Sequence, residues 1–177
     1  MVAIRSELTH SRLDVAQASL EALAPTTSRE LYLVIAGGLA CHLCGLRLGI
    51  ERGFDDIDVI LPHSYLAGAT HGERLPESTA YILDDKPGYN CQVATPEEGS
   101  HLLPIDLIVV PNTTFEGILS RSTESFSGTP LIHPSDGLQA AQRRADSLRR
   151  WQLARKNKTE KDIDIWEKAR NANSSAR

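Results

Sequence analysis

The chain has no apolar run near the roughly 20 residues a helix needs to cross a bilayer. Its opening, MVAIRSELTHSRLD, lacks the apolar stretch of a secretory leader. These two absences argue against a membrane-spanning or exported protein and set the expectation of a cytoplasmic one. Cysteine is scarce: three among 177 residues, an odd number in a chain of ordinary size. A disulfide framework is therefore not expected, and reduced thiols are. No strong excess of either charge exists, the formal net charge being −4. Bulk electrostatics thus single out neither nucleic acid nor a membrane surface as a partner. Internal repeats and linker-like tracts are also missing.

What is present is an ordinary globular composition, 41% hydrophobic and 24% charged. The length suits one domain with a real core, or one with a small helical appendage. Leu13, Ala16, Leu20 and Leu23 recur at helical spacing in residues 11–23, with Ser11 placed to cap and Pro25 to stop the helix. LYLVIAGG (31–38) has the composition of a buried strand ending in two glycines, and LACHLCGLRLG (39–49) then has helical character. DIDVILP (56–62) is a second strand. AYILDD and YNCQVA flank KPG as two short strands about a turn, and LLPIDLIVVP (102–111) is the most apolar strand of all. Helices follow: TTFEGILSRS, a long one beginning near Ser135 or Asp136, and TEKDIDIWEKAR, where Thr159 and Asp162 are spaced as a capping box. This order predicts an α+β fold, a mixed β-sheet flanked by helices with a helical C-terminal part. One domain is expected over 1–170, its core over about 28–135 and its C-terminal helices over about 136–170, with 171–177 as a flexible tail.

The stretch RGFDDIDVILP (52–62) is the informative one. Alternation along a strand puts Asp56 and Asp58 on one face, with Ile57 and Val59 turned to a core. Two neighbouring carboxylates repel, and partial burial makes this worse. A divalent cation relieves the repulsion. Magnesium takes oxygen ligands, typically one or two carboxylates with phosphates and water. Asp106 is a further lone acid in an apolar strand. If strand 102–111 lies beside strand 56–61, three carboxylates come together, enough for two metal ions in an in-line displacement at phosphorus. Upstream, Gly37 and Gly38 separate a strand from a helix. Glycine there admits a phosphate close to the backbone, and a helix N-terminus offers it N–H groups. Arg52 is suited to a paired hydrogen bond to phosphate, or equally to pairing with an acid close by.

With these residues in view, IAGGLACHLCGLRLGIERGFDDIDVIL (35–61) resembles the signature of the polymerase-beta-like nucleotidyltransferase superfamily. The resemblance is closest to its minimal members, including those of toxin–antitoxin type, and PIDLIVV stands where a third acidic residue is expected. It covers residues 31–110 well and extends loosely to the C-terminal KNKTEKDIDIW. The resemblance implies a nucleotidyltransferase fold and a nucleotide-binding turn at Gly37 and Gly38. It implies metal ligands at Asp56 and Asp58, with Asp106 as third ligand or as base. The implied cofactor is Mg2+ (or Mn2+), and the implied substrate a nucleoside triphosphate, ATP among them. The implied reaction moves a nucleoside monophosphate to an acceptor hydroxyl on RNA, protein or a small molecule. Two departures stand out. Phe54 occupies the place of a small hydroxyl residue, and the lysine expected after PSD is replaced by Gln142 or Arg143. A catalytically degenerate binding or regulatory protein on the same fold is the alternative. The chain has little room for an acceptor domain, so a homodimer or partner protein is expected to help build that side.

Other features have plainer expectations. Asp55 reads as a solvated residue at the start of its strand. Cys41 and Cys44 fall one helical turn apart, but a structural zinc needs four ligands and no second cluster exists, so both read as small buried core residues. His42 between them is expected on the helix surface. Arg143, Arg144, Arg149, Arg150, Arg155, Lys156, Lys158 and Lys161 are expected to form a solvated helix face, with an RNA or triphosphate platform as the rival. Trp151 and Trp166 are expected to anchor packing.

Overall fold

A computed structural model describes residues 12–21, 33–65, 81–86, 90–94, 102–147 and 153–175. Helix α1 covers 12–21. It is followed by β1 (Val34–Ala36), α2 (Gly37–Arg47), β2 (Ile57–Pro62), β3 (Tyr81–Lys86), β4 (Asn90–Ala94) and β5 (Ile105–Val110). The rest is α3 (Asn112–Arg121), the short strands β6 (Ser125–Phe126) and β7 (Thr129–Pro130), α4 (Pro134–Ser147) and α5 (Leu153–Ser175). The chain divides into two compact units, Met1–Leu33 with Asp55–Glu116, and Val34–Phe54 with Gly117–Arg177.

In the first unit β2 lies parallel to β5, while β5–β4 and β4–β3 are antiparallel. The expected mixed sheet of an α+β protein is therefore present. Its parity follows from the sequence: Ile57, Val59 and Leu61 are fully buried, as is Leu107 on β5, while Asp58 and Asp106 on the alternate parity are half-buried. The N–H of Ile57 donates to Pro104 O at 2.9 Å, locking the start of the β2–β5 register. The β3–β4 pair is antiparallel, with a register irregularity between Ile82 and Asp84, and the turn expected between them lies outside the described residues. Helix α1 buries Ala16 and Leu20. Ser19, on the same stripe, is buried because its hydroxyl is fully used: it donates to Val15 O at 2.8 Å and accepts from Leu103 N–H at 2.9 Å.

In the second unit β1 runs directly into α2, two residues earlier than the helix expected from Leu39. Both glycines belong to its first turn. The turn becomes possible because Gly37 takes φ 51°, a backbone state strained for other residues. The helix ends at Gly45–Ile50, where Ile50 N–H donates to Gly45 O at 2.8 Å. A side chain at Gly45 would put its Cβ 2.7 Å from Ile50 O, so that position requires glycine. Strands β6 and β7 form a tight hairpin whose two central residues, Ser127 (φ 50°) and Gly128 (φ 82°), both have positive φ, as the right-handed twist of a hairpin demands. Pro134 begins α4, where its missing N–H costs nothing, and Asp136 lies in the first turn. Helices α4 and α5 approach closely at Gly137, under the Trp166 ring. Trp166 is buried, as expected of a packing anchor, whereas Trp151 lies outside the described residues.

Three expectations are corrected here. His42 is buried rather than on a surface, because α2 buries residues all round, Gly38 to His42 as well as Cys44 and Gly45. The long helix predicted from Ser135 ends at Ser147, and α5 begins at Leu153, so Thr159 and Asp162 are not a capping box but sit mid-helix, both buried. Their spacing matches the buried stripe of Ile165, Trp166 and Ala169 on the same helix. Helix α5 also continues through residues 171–175, expected as tail. Among the described residues no helix is long and apolar enough to cross a membrane.

Candidate functional site

The acidic residues are placed by the β2–β5 pair. Asp58 and Asp106 are direct register partners on neighbouring parallel strands. Partners of one register point to the same face, and the strands stand about 4.8 Å apart, so the two carboxylates face the same side at neighbouring positions. Each is half-buried. On its other side Asp106 has Gln92 of β4 as its register partner. Asp56 is one residue ahead of β2, also half-buried. Asp55 is solvated as expected, its side chain 85% exposed and bonded to Arg12 at 3.1 Å.

Like charges at adjacent, partly desolvated positions oppose folding unless something compensates them. Two carboxylates, completed by phosphate oxygens and water, are the usual protein share of a magnesium site, so the Asp58–Asp106 pair fits the ion by donor type and register. Among the described residues, no three His, Cys, Asp or Glu side chains are gathered about one point as ligands of a metal. The register sets Asp58 beside Asp106, and Asp56 stands one residue ahead of the strand.

In the other unit the Gly37–Gly38 turn opens α2 with no side-chain cap: Ala36 holds the N-cap position, and no acid lies in the first turn. Ala36 carries no side chain that could cap the first turn. Arg52 has a partner that its sequence neighbourhood did not suggest. It is 4% exposed and meets Asp162, 110 residues away, side-on: Nε donates to Oδ1 at 2.8 Å and Nη2 to Oδ2 at 2.9 Å. Its remaining nitrogen, Nη1, donates to Gly38 O at 3.3 Å and to Gly53 O. The carbonyl of Arg52 itself is bonded to His42 Nδ1, and the imidazole lies against Phe54, ring centroids 5.0 Å apart. Phe54 is 2% exposed. An aromatic stands at this position because it is core.

Asp162 is the residue that sequence reasoning missed. The available signal was a charged side chain on the buried stripe of α5, which demands a partner. Cys41 and Cys44 are buried core residues, as expected. The Cys41 thiol lies 3.7 Å from Asp162 Oδ1, and burial first, then the nearby carboxylate, pushes its pKa up. Burial likewise lifts Cys44 to about 11, with Glu124 adding to the rise and Arg47 opposing it. Neither thiol is a nucleophile at neutral pH. Gln142 and Arg143, nearest the place of the family's lysine, are exposed on α4. So are Arg144, Lys156, Lys158 and Lys161, in keeping with a solvated basic face. Arg149, Arg150 and the side chain of Arg155 lie outside the described residues.

No protein-family description matches the chain, and none of the curated proteins compared with it does. Among solved structures, a Megavirus polyadenylate synthase is similar with a TM-score of 0.47 and 17% identity over 78% of this chain. The chain spans 28% of that protein's length. The antibiotic-resistance factor ANT(2'')-Ia is similar with a TM-score of 0.45 and 15% identity, over 97% of this chain and 93% of that one. At these scores both are likenesses of outline only.

Proposed function

We propose that the chain is a magnesium-dependent nucleotidyltransferase. The observation that carries this reading is the register of Asp58 with Asp106, two half-buried carboxylates side by side on parallel strands. The order of elements supports it: a glycine turn opening a helix, then an acid-bearing strand, then a second acid on the next parallel neighbour.

In this reading the Gly37–Gly38 turn and the uncapped start of α2 receive the triphosphate through backbone N–H groups. Asp58 and Asp106, joined by Asp56, would hold Mg2+ (or Mn2+), which would supply neutralisation of phosphate charge and a lowered pKa for the attacking hydroxyl. The acceptor hydroxyl attacks the α-phosphorus. A new P–O bond forms, the bond to the β-phosphate oxygen breaks, and pyrophosphate departs. The hydroxyl proton passes to a carboxylate, for which Asp106 is the candidate. The rate enhancement comes chiefly from orientation and from compensating charge.

The test is transfer of label from each α-labelled nucleoside triphosphate, with magnesium, into separate RNA, protein and small-molecule fractions. Asp58→Asn is expected to abolish it with the fold retained. A second reading, a degenerate binding or regulatory protein, is favoured by Phe54, whose burial removes any polar contact from that position. Triphosphate binding without transfer to any fraction would select it.

A further inference from the structure

The mechanism above leaves a buried cluster unused: Asp162, Arg52 and His42, grouped beside the first turns of α2. A buried ion pair is a poor device for stability alone, since apolar residues of equal volume commonly serve as well or better. What an arginine can do that apolar residues cannot is fix several oxygens at once through its planar fork. Arg52 spends Nε and Nη2 on Asp162, and this side-on grip aims Nη1 at the carbonyls of Gly38 and Gly53. Gly38 is half of the turn read above as the phosphate cradle. The segment holding Gly53 leads into the acid strand. His42 holds the backbone of Arg52 from the opposite side.

We infer that Asp162, acting through Arg52, is a positioning residue for nucleotide binding: helix α5 sets the carbonyl of Gly38 and thereby the direction of the Leu39 N–H, which shares its peptide plane in the first turn of α2. The inference rests on that turn being the triphosphate cradle. Asp162 touches no substrate in this account. Its removal would leave every phosphate donor in place and disturb their aim.

The experiment measures the affinity of the full chain for each of the four nucleoside triphosphates with magnesium, by calorimetric titration. The variants are Asp162→Asn, Asp162→Glu and Arg52→Lys, and thermal unfolding is recorded for each. Asp162→Glu keeps the charge and shifts it by one methylene, so it serves if Asp162→Asn does not fold. Trp166→Phe is the comparison: it loosens the same helix at its contact with Gly137 and keeps both the Arg52 and Asp162 side chains. The expected result is a roughly ten- to hundredfold weaker affinity in folded cluster variants, the range typical of coupling between a remote group and a binding site. Trp166→Phe should lose stability but keep the wild-type affinity. Wild-type affinity in Asp162→Glu and Arg52→Lys overturns the inference, as does a loss in Trp166→Phe equal to theirs. Should the wild-type chain bind none of the four triphosphates, the cradle itself is refuted and this inference with it.

Discussion

Replacing Asp162 by alanine takes one half from an ion pair that water does not reach. Arg52 is 4% and the Asp162 side chain 8% exposed, and their two hydrogen bonds are 2.8 and 2.9 Å long. The guanidinium cannot shed its proton, so in the variant it stays charged, buried and short of two acceptors. Leaving such a charge uncompensated costs roughly 3–5 kcal/mol, a large share of the roughly 5–15 kcal/mol that holds a domain folded. With a urea m-value of about 2 kcal/mol/M, the midpoint should fall by roughly 2 M at unchanged m. The double variant Arg52→Met with Asp162→Leu carries no charge into the interior. It loses the donors to Gly38 and Gly53, at roughly 1 kcal/mol each, and the weak Cys41 contact, and should therefore be more stable than the single variant. A single-variant loss below about 1 kcal/mol, the size found for exposed pairs, would refute the reasoning. So would a double variant less stable than the single one.

Other outcomes follow from the same geometry. Gly137→Ala gains about 1 kcal/mol of helix propensity but drives its Cβ to 2.6 Å from the Trp166 ring, an overpacking that costs roughly 1–3 kcal/mol. The clash should win, lowering the urea midpoint. For Cys44, burial raises the folded pKa from 9.0 to about 11, so its neutral form is favoured in the folded chain. That contribution is full below pH 9 and lost as pH rises toward 11, and Cys44→Ala should flatten the decline of stability across that window, measured under reducing conditions. Lys168→Ala breaks an ion pair with Asp164 that is 2.7 Å long, with both side chains about half exposed. It should shift stability by no more than about 0.5 kcal/mol in urea unfolding.

Much of this structure was written in local pattern. The run DIDVILP announced β2, and its alternation already separated Ile57 and Val59 from Asp58. IDLIVV announced β5, and placing its lone acid beside the first strand needed only the assumption that the two strands are neighbours. The break between strand and helix at Gly37 and Gly38 was visible, though not that both lie inside the helix, since a positive φ at Gly37 is settled by how β1 meets α2. What local pattern does not carry is the partner of a distant charge. Arg52 stands among Glu51, Asp55 and Asp56 in sequence, yet its partner is on a helix 110 residues later. Asp162 in turn satisfied a capping spacing with Thr159, and only the burial of that stripe shows both to be interior. The misjudged His42 has the same cause: a helix buried on nearly every side shows no amphipathic stripe from which an interior histidine can be told from a surface one.

The central claim is that Asp58 and Asp106 make a magnesium-dependent nucleotidyl transfer site. It is tested most directly by following release of pyrophosphate and transfer of α-label together, in wild type and in Asp58→Asn, with and without magnesium. The account predicts label in one acceptor fraction with equimolar pyrophosphate, both lost on chelation and both lost in a variant that remains folded. Transfer that persists in Asp58→Asn, or that proceeds equally without a divalent cation, would contradict it.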